Sequence, residues 1–167
     1  MTGRSCCVES MASTIPTPLL DLLRGPTLLV RTGLWLLPPA QLDDAPDEAA
    51  RLGIAAVDMR EALLAVLPPT ADFVALNANR VLELLDCVAS HPAAGGCALV
   101  YNVDLLLARL TFAQRGDVWS FVYGGFPHRR TPLLITMPVT AHSLLPAAAT
   151  LDQWQQVGRA YPLPELL

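Results

Sequence analysis

The feature that most constrains this chain is residues 97–104, CALVYNVD, with three leucines directly after it. An unbroken apolar run that stops in polar residues reads as a buried central strand of a parallel sheet. Such a strand is covered on both faces, and ligands collect at its carboxyl end. Asn102 and Asp104 stand at that end. The rest of the chain can be ordered around this strand.

Apolar runs at residues 27–31 (TLLVR), 53–57 (GIAAV) and 133–137 (LLITM) are the other predicted strands. Two readings compete for 34–37: a further strand, or a short helical segment stopped by Pro38 and Pro39. Asp58 is placed to cap a helix over 59–67, and Pro68-Pro69 ends it. Thr70 or Asp72 would open a longer helix to about Ser90, with Val74, Leu76, Val81, Leu84, Leu85 and Val88 at helical spacing. Further helices are expected at 112–123 and 151–160, and a short turn of helix at 18–23 before Gly25-Pro26. Strands alternating with helices predict an α/β fold, a three-layer parallel sheet. Residues 1–25 read as an N-terminal tail, 26–140 as the core domain, and 141–167 as a Pro-rich C-terminal extension with one short helix, a plausible arm for a neighbouring chain.

Composition narrows the function classes. The chain has 167 residues, 53% of them hydrophobic and only 16% charged. Either it enters a membrane or it hides apolar surface against a partner. A spanning helix needs roughly 18–20 consecutive apolar residues. The best run, 27–40, is cut by Arg31 and ends in two prolines. No apolar stretch of secretory type follows Arg4. A cytoplasmic protein without a membrane segment is therefore expected. The net charge of −4 argues against binding to free nucleic acid, which needs clustered positive charge.

The candidate chemistry is sparse. All the basic residues are arginine, and lysine is absent. A phosphate loop after the first strand would need glycines, a lysine and a hydroxyl residue. Instead the strand leads into Arg31-Thr32-Gly33-Leu34-Trp35. Cys6, Cys7, Cys87 and Cys97 form no zinc or redox spacing. His91, His128 and His142 are far apart, and there is no nucleophile elbow. No metal site and no catalytic set are expected.

The element 97–107, with the helix before it and the Arg129-Arg130 loop and strand after it, resembles the small P-loop ATPase-like protein of bacteriophage-exclusion (BREX-type) bacterial defence systems. The likeness covers residues 53–138. That family carries an apolar strand followed by Asp-Asn-apolar-Glu-Leu-Leu. Here Asn102, Asp104, Leu105 and Leu106 match that element, and Tyr101 stands where its aspartate belongs. The resemblance implies a degenerate P-loop NTPase-like fold that has lost the phosphate loop and the magnesium-ordering carboxylate. Phosphoryl transfer is mostly those two things. It therefore implies a pseudo-ATPase: a scaffold or adaptor in a multi-protein assembly, without a cofactor.

The alternative is an atypical nucleotide site for ATP and magnesium, built from Asn102, Asp104, Arg129 and Arg130. Bland readings stand beside both. Asp104 would cap a helix, Asn102 would close a turn, and the two arginines would be a solvated loop. For an interface with other subunits, Trp35, Trp119, Phe126 and Trp154 are the candidate anchors, since large aromatics dominate binding energy. The core is the competing place for them.

Overall fold

A computed structural model describes residues 14–163. Five parallel strands form one sheet in the order β2-β3-β4-β1-β5. They are β1 (Thr32–Leu37), β2 (Ala55–Asp58), β3 (Ala98–Tyr101), β4 (Leu133–Pro138) and β5 (Ala160–Tyr161). Seven α-helices accompany them: α1 (Thr17–Arg24), α2 (Ala45–Arg51), α3 (Met59–Val66), α4 (Ala78–Ser90), α5 (Val103–Leu107), α6 (Phe112–Ser120) and α7 (Ala148–Gln156). The expected three layers are present.

Alternation along the strands assigns the layers. Trp35 and Leu37 of β1, Leu99 of β3 and Leu134 of β4 pack against Leu19, Leu20 and Leu23 of α1 and Ala45 and Ala49 of α2. Leu34, Leu36, Val100, Leu133, Ile135 and Met137 point the other way, into a larger cluster with α3 to α7. Side chains on a strand alternate between faces, so a strand buried on both sides is apolar throughout. β1 and β4 are both buried at all six positions.

The strand expected at 27–31 is not formed. The chain there bends, Leu29 is 87% exposed, and β1 begins at Thr32. Of the two readings of 34–37, the strand is the observed one. Gly33 sits against both α1 and the segment before β5. A Cβ on it would lie 2.9 Å from a Leu19 methyl and 3.3 Å from the Arg159 carbonyl oxygen. A side chain there would push the Leu19 methyl aside and press on the Arg159 carbonyl.

The helix expected from Thr70 or Asp72 begins later, at Ala78. Its cap is Asn77, whose side chain accepts from the Arg80 N–H at 2.9 Å. Residues 68–77 are a loop that leaves Phe73 93% exposed. The Asp58 cap forms as expected, accepting from the Arg60 N–H at 2.9 Å. α6 stops at Ser120 and passes into a π-turn, Phe121–Gly125. The last helix is shifted to Ala148–Gln156.

Both terminal segments differ from the tail and arm that were expected. Within the stretch read as a tail, α1 buries three leucines, and Ile15 joins them. Residues 1–13, with Cys6 and Cys7, lie outside the described residues. Within the stretch read as an arm, β5 pairs with β1 in the chain's own sheet, Leu34 opposite Ala160 and Trp35 opposite Tyr161. The aromatics proposed as interface anchors are core residues. Trp35, Trp119, Phe126 and Trp154 are all buried, and Trp119 meets Trp154 edge to face at 6.4 Å.

Arg159, just before β5, is buried. Its Nε donates to the Thr32 carbonyl at 2.8 Å, one terminal nitrogen to the Tyr123 carbonyl at 3.0 Å, and the other to Thr32 Oγ1 at 2.6 Å. Its central carbon lies 4.6 Å from the ring centres of both Tyr123 and Trp154.

These placements predict opposite outcomes for two leucines ten residues apart in the amino-terminal region. Leu19→Ala should cost about 2–5 kcal/mol in urea unfolding, as buried leucine truncations do. Leu29→Ala should stay within about 0.5 kcal/mol of the parent, as exposed positions do. Equal effects would mean that α1 is not part of the core.

Candidate functional site

In an open parallel sheet, ligands bind beyond the carboxyl ends of the strands, where neighbouring strands send their connections to opposite faces. Here that point lies beside β1. The chain leaves β1 through α2 on the α1 side of the sheet, while β3 and β4 continue into helices on the other side. A crevice of about 400 Å³ sits at this point. Pro39, Asp43 and Pro46 come from the connection after β1, Tyr101, Asn102 and Asp104 from the end of β3, and Thr136 from β4.

Asn102 has φ 60° and ψ 21°, and it is the only non-glycine residue with positive φ among the described residues. Asparagine tolerates that conformation better than most side chains. It lets the chain turn from β3 straight into α5. Asn102 occupies the N-cap position of α5, and its side chain makes no capping hydrogen bond.

Asp104 follows in the first turn of α5. Partial burial raises its pKa above the ordinary carboxyl value, against the opposing pull of its own N–H and that of Leu105. Tyr101 is raised too, first by desolvation and then by the carboxylates of Asp58 and Glu61. Thr136 turns its hydroxyl away and donates to the Val100 carbonyl at 3.2 Å.

This crevice is unsuited to phosphates. Its lining holds two carboxylates and no cation. The connection after β1 starts with Pro38 and Pro39, and α2 carries Pro46 in its first turn. Proline has no N–H to offer an anion. Asp47 and Glu48 occupy the first turn of α2 and counter the positive end of its dipole. The lining therefore offers the phosphates of a nucleotide no basic side chain.

The four residues of the alternative nucleotide site are not brought together. Asn102 and Asp104 lie at the carboxyl edge of the sheet. Arg129 and Arg130 precede β4 and so lie at its amino edge. Six residues of β4 separate the two edges by roughly 20 Å. Arg129 makes a two-pronged contact with Asp86 of α4, at 2.7 and 3.1 Å, and Arg130 is exposed. The loop is held by Arg31, which donates to the Arg129 carbonyl and meets His128 Nε2 at 3.2 Å.

No other reactive set appears among the described residues. No group of three or more His, Cys, Asp or Glu side chains is arranged to hold a metal. Burial pushes the Cys97 thiol up to about 12, which leaves it a neutral core side chain. His91 Nδ1 contacts the Cys87 carbonyl at 2.7 Å, far in sequence from the other histidines. No described helix is long and apolar enough to cross a membrane.

A second concavity, of about 260 Å³, lies between α6, α7 and the loop after β4. Its lining includes Arg115, Gly116 and His142. Sequence reasoning passed over it. The only local signal was a glycine in the middle of a predicted helix.

The chain matches no family model, no curated protein and no solved structure.

Asp104 carries a pH signature. Its raised folded pKa means that its charged form opposes folding, so its contribution is favourable only below the ordinary value of 3.8 and is lost as pH rises through the folded pKa. Asp104→Asn should therefore raise the melting temperature at pH 7, and the gain should shrink towards zero as pH falls below 3.8. A gain that is the same at pH 3 and pH 7 would contradict this account.

Proposed function

We propose that this chain is a non-catalytic scaffold or adaptor subunit of a multi-protein assembly, built on a degenerate P-loop-like sheet. The observation that carries the reading is the crevice beside β1. It stands where a nucleotide-binding sheet holds phosphates, and it is built from prolines and the carboxylates of Asp43 and Asp104. Acids in place of a cation and proline in place of N–H donors remove both parts of phosphate recognition. The assignment to bacteriophage defence rests on the resemblance carried by Asn102, Asp104, Leu105 and Leu106.

An apolar surface supports an interaction role. Phe73 and Val74 from the 68–77 loop, Leu63 from α3 and Leu105 from α5 line an open groove of about 670 Å³. Phe73 is almost wholly exposed, and Leu105 is 46% exposed. Side chains of this kind, clustered and solvated, mark association surfaces more often than isolated apolar residues do.

Two measurements test the proposal. Calorimetry of the pure protein with ATP and magnesium should show no saturable heat, and micromolar binding abolished by Asp104→Ala would overturn the reading. In the native host, the tagged chain should co-purify with defined partner subunits. Phe73→Asp with Leu105→Asp should release them, while Phe121→Asp, outside the groove, should not. A chain that emerges alone and monomeric contradicts the assembly role.

A further inference from the structure

The cavity between α6 and α7 differs in charge from every expectation set by the composition. Acids outnumber arginines 15 to 11 in the chain, yet this lining contains no aspartate and no glutamate. It contains Arg115 and His142 instead, with Ser143 and Thr150 beside them. Arg115 gives one N–H to the Leu110 carbonyl at 2.6 Å, while its Nε is buried without a partner among the described residues. The buried Nε is closed to a ligand, and what Arg115 offers the cavity is its remaining terminal N–H groups. The lining also includes Ala147, the N-cap of α7, which offers no side-chain cap, and the first turn of α7 carries no acid. A positive helix end beside an arginine favours an anion.

The remaining wall is aromatic. Phe112, Trp119 and Tyr123 line it. Trp119 is anchored by its indole N–H to the Leu144 carbonyl at 2.7 Å. Phe112 stands at the rim, 80% exposed, where it stabilises nothing in the core.

Gly116 points to a use for the space. It is the middle residue of α6, where glycine is the poorest choice short of proline. A Cβ built on it meets no atom within 4 Å, so packing does not demand glycine there. Gly116 is part of the cavity wall, so a long side chain there changes the shape of that wall.

We propose that this cavity binds a small aromatic anion, its charged group held by Arg115 and its ring against Phe112 and Trp119. This site is separate from the acidic crevice beside β1 and does not depend on the scaffold reading.

The test uses the full chain with benzoate, phenyl phosphate, neutral benzamide and cationic benzylamine as probes, followed by calorimetry and by tryptophan emission. Molecules of about eight to eleven heavy atoms at ordinary ligand efficiency bind in the millimolar range, so titration should extend to about 20 mM. At least one of the two anions should bind roughly tenfold more tightly than benzamide, and benzylamine more weakly still. Whichever anion is preferred separates a carboxylate from a phosphate ligand. Gly116→Leu should abolish binding with the melting temperature kept, and Arg115→Gln should weaken the anions alone by roughly tenfold. Phe112→Ala, at an exposed position that cannot disturb the core, should weaken all ring-bearing probes. The proposal is overturned if no anion saturates, if benzamide equals the anions, or if Phe112→Ala and Gly116→Leu bind as the parent does.

Discussion

One buried cation holds the fold's far-separated parts together. Arg159 reaches back 127 residues to Thr32, the first residue of β1. It also takes the Tyr123 carbonyl at the end of the α6 segment. No carboxylate pairs with it among the described residues. A charge taken from water without a counterion is costly. Here two carbonyls, a hydroxyl and the faces of Tyr123 and Trp154 replace the lost hydration. Desolvation pulls its pKa down to about 10, so it stays protonated at neutral pH. Thr32 in turn donates its hydroxyl to the Val122 carbonyl at 2.7 Å, which closes the junction between the start of β1, the π-turn and the last strand.

That junction lies at the amino edge of the sheet, and the carboxyl edge is left free of it. The two edges have opposite chemistry. At the amino edge, arginines meet carbonyls, Asp86 and aromatic faces. At the carboxyl edge, Asp43 and Asp104 face a crevice with no basic partner in its lining. The cavity between α6 and α7 borders the Arg159 junction, with which it shares Tyr123, and is separate from the acidic crevice. The acidic crevice and the open cavity suit different ligands, and of the two only the second has a basic side chain in its lining.

What could be read in advance was what local chemistry decides. The strand ending at Tyr101, the strand from Leu133 and the cap at Asp58 follow from apolar runs and one short side chain. β1 lies later than the expected strand because TLLVR and GLWLL are both apolar, and the choice between them rests on tertiary partners, β4 and β5, that are remote in sequence. α4 was extended too far because Thr70 and Asp72 are as good caps in isolation as Asn77. The aromatics are ambiguous for the same reason: their burial is decided by partners outside their own segment, Thr136 for Trp35 and Trp119 and Tyr123 for Trp154. At the candidate site, the absence of a phosphate-binding lysine was legible from composition. The separation of Arg129 from Asp104 was not, since it follows from the direction of β4.

The pairing of β1 has a consequence for synthesis. Both neighbours of this interior strand, β4 and β5, come about a hundred residues or more after it. As the protein leaves the ribosome, Leu34, Trp35, Leu36 and Leu37 emerge early and have no strand to join until about a hundred residues more have followed. Strands paired over such distances assemble slowly, and unpaired apolar strands attract other chains. The nascent strand is therefore open to misassembly from its emergence until β4 has followed, and a partner that shields β1 during that interval would act on yield before it acts on structure.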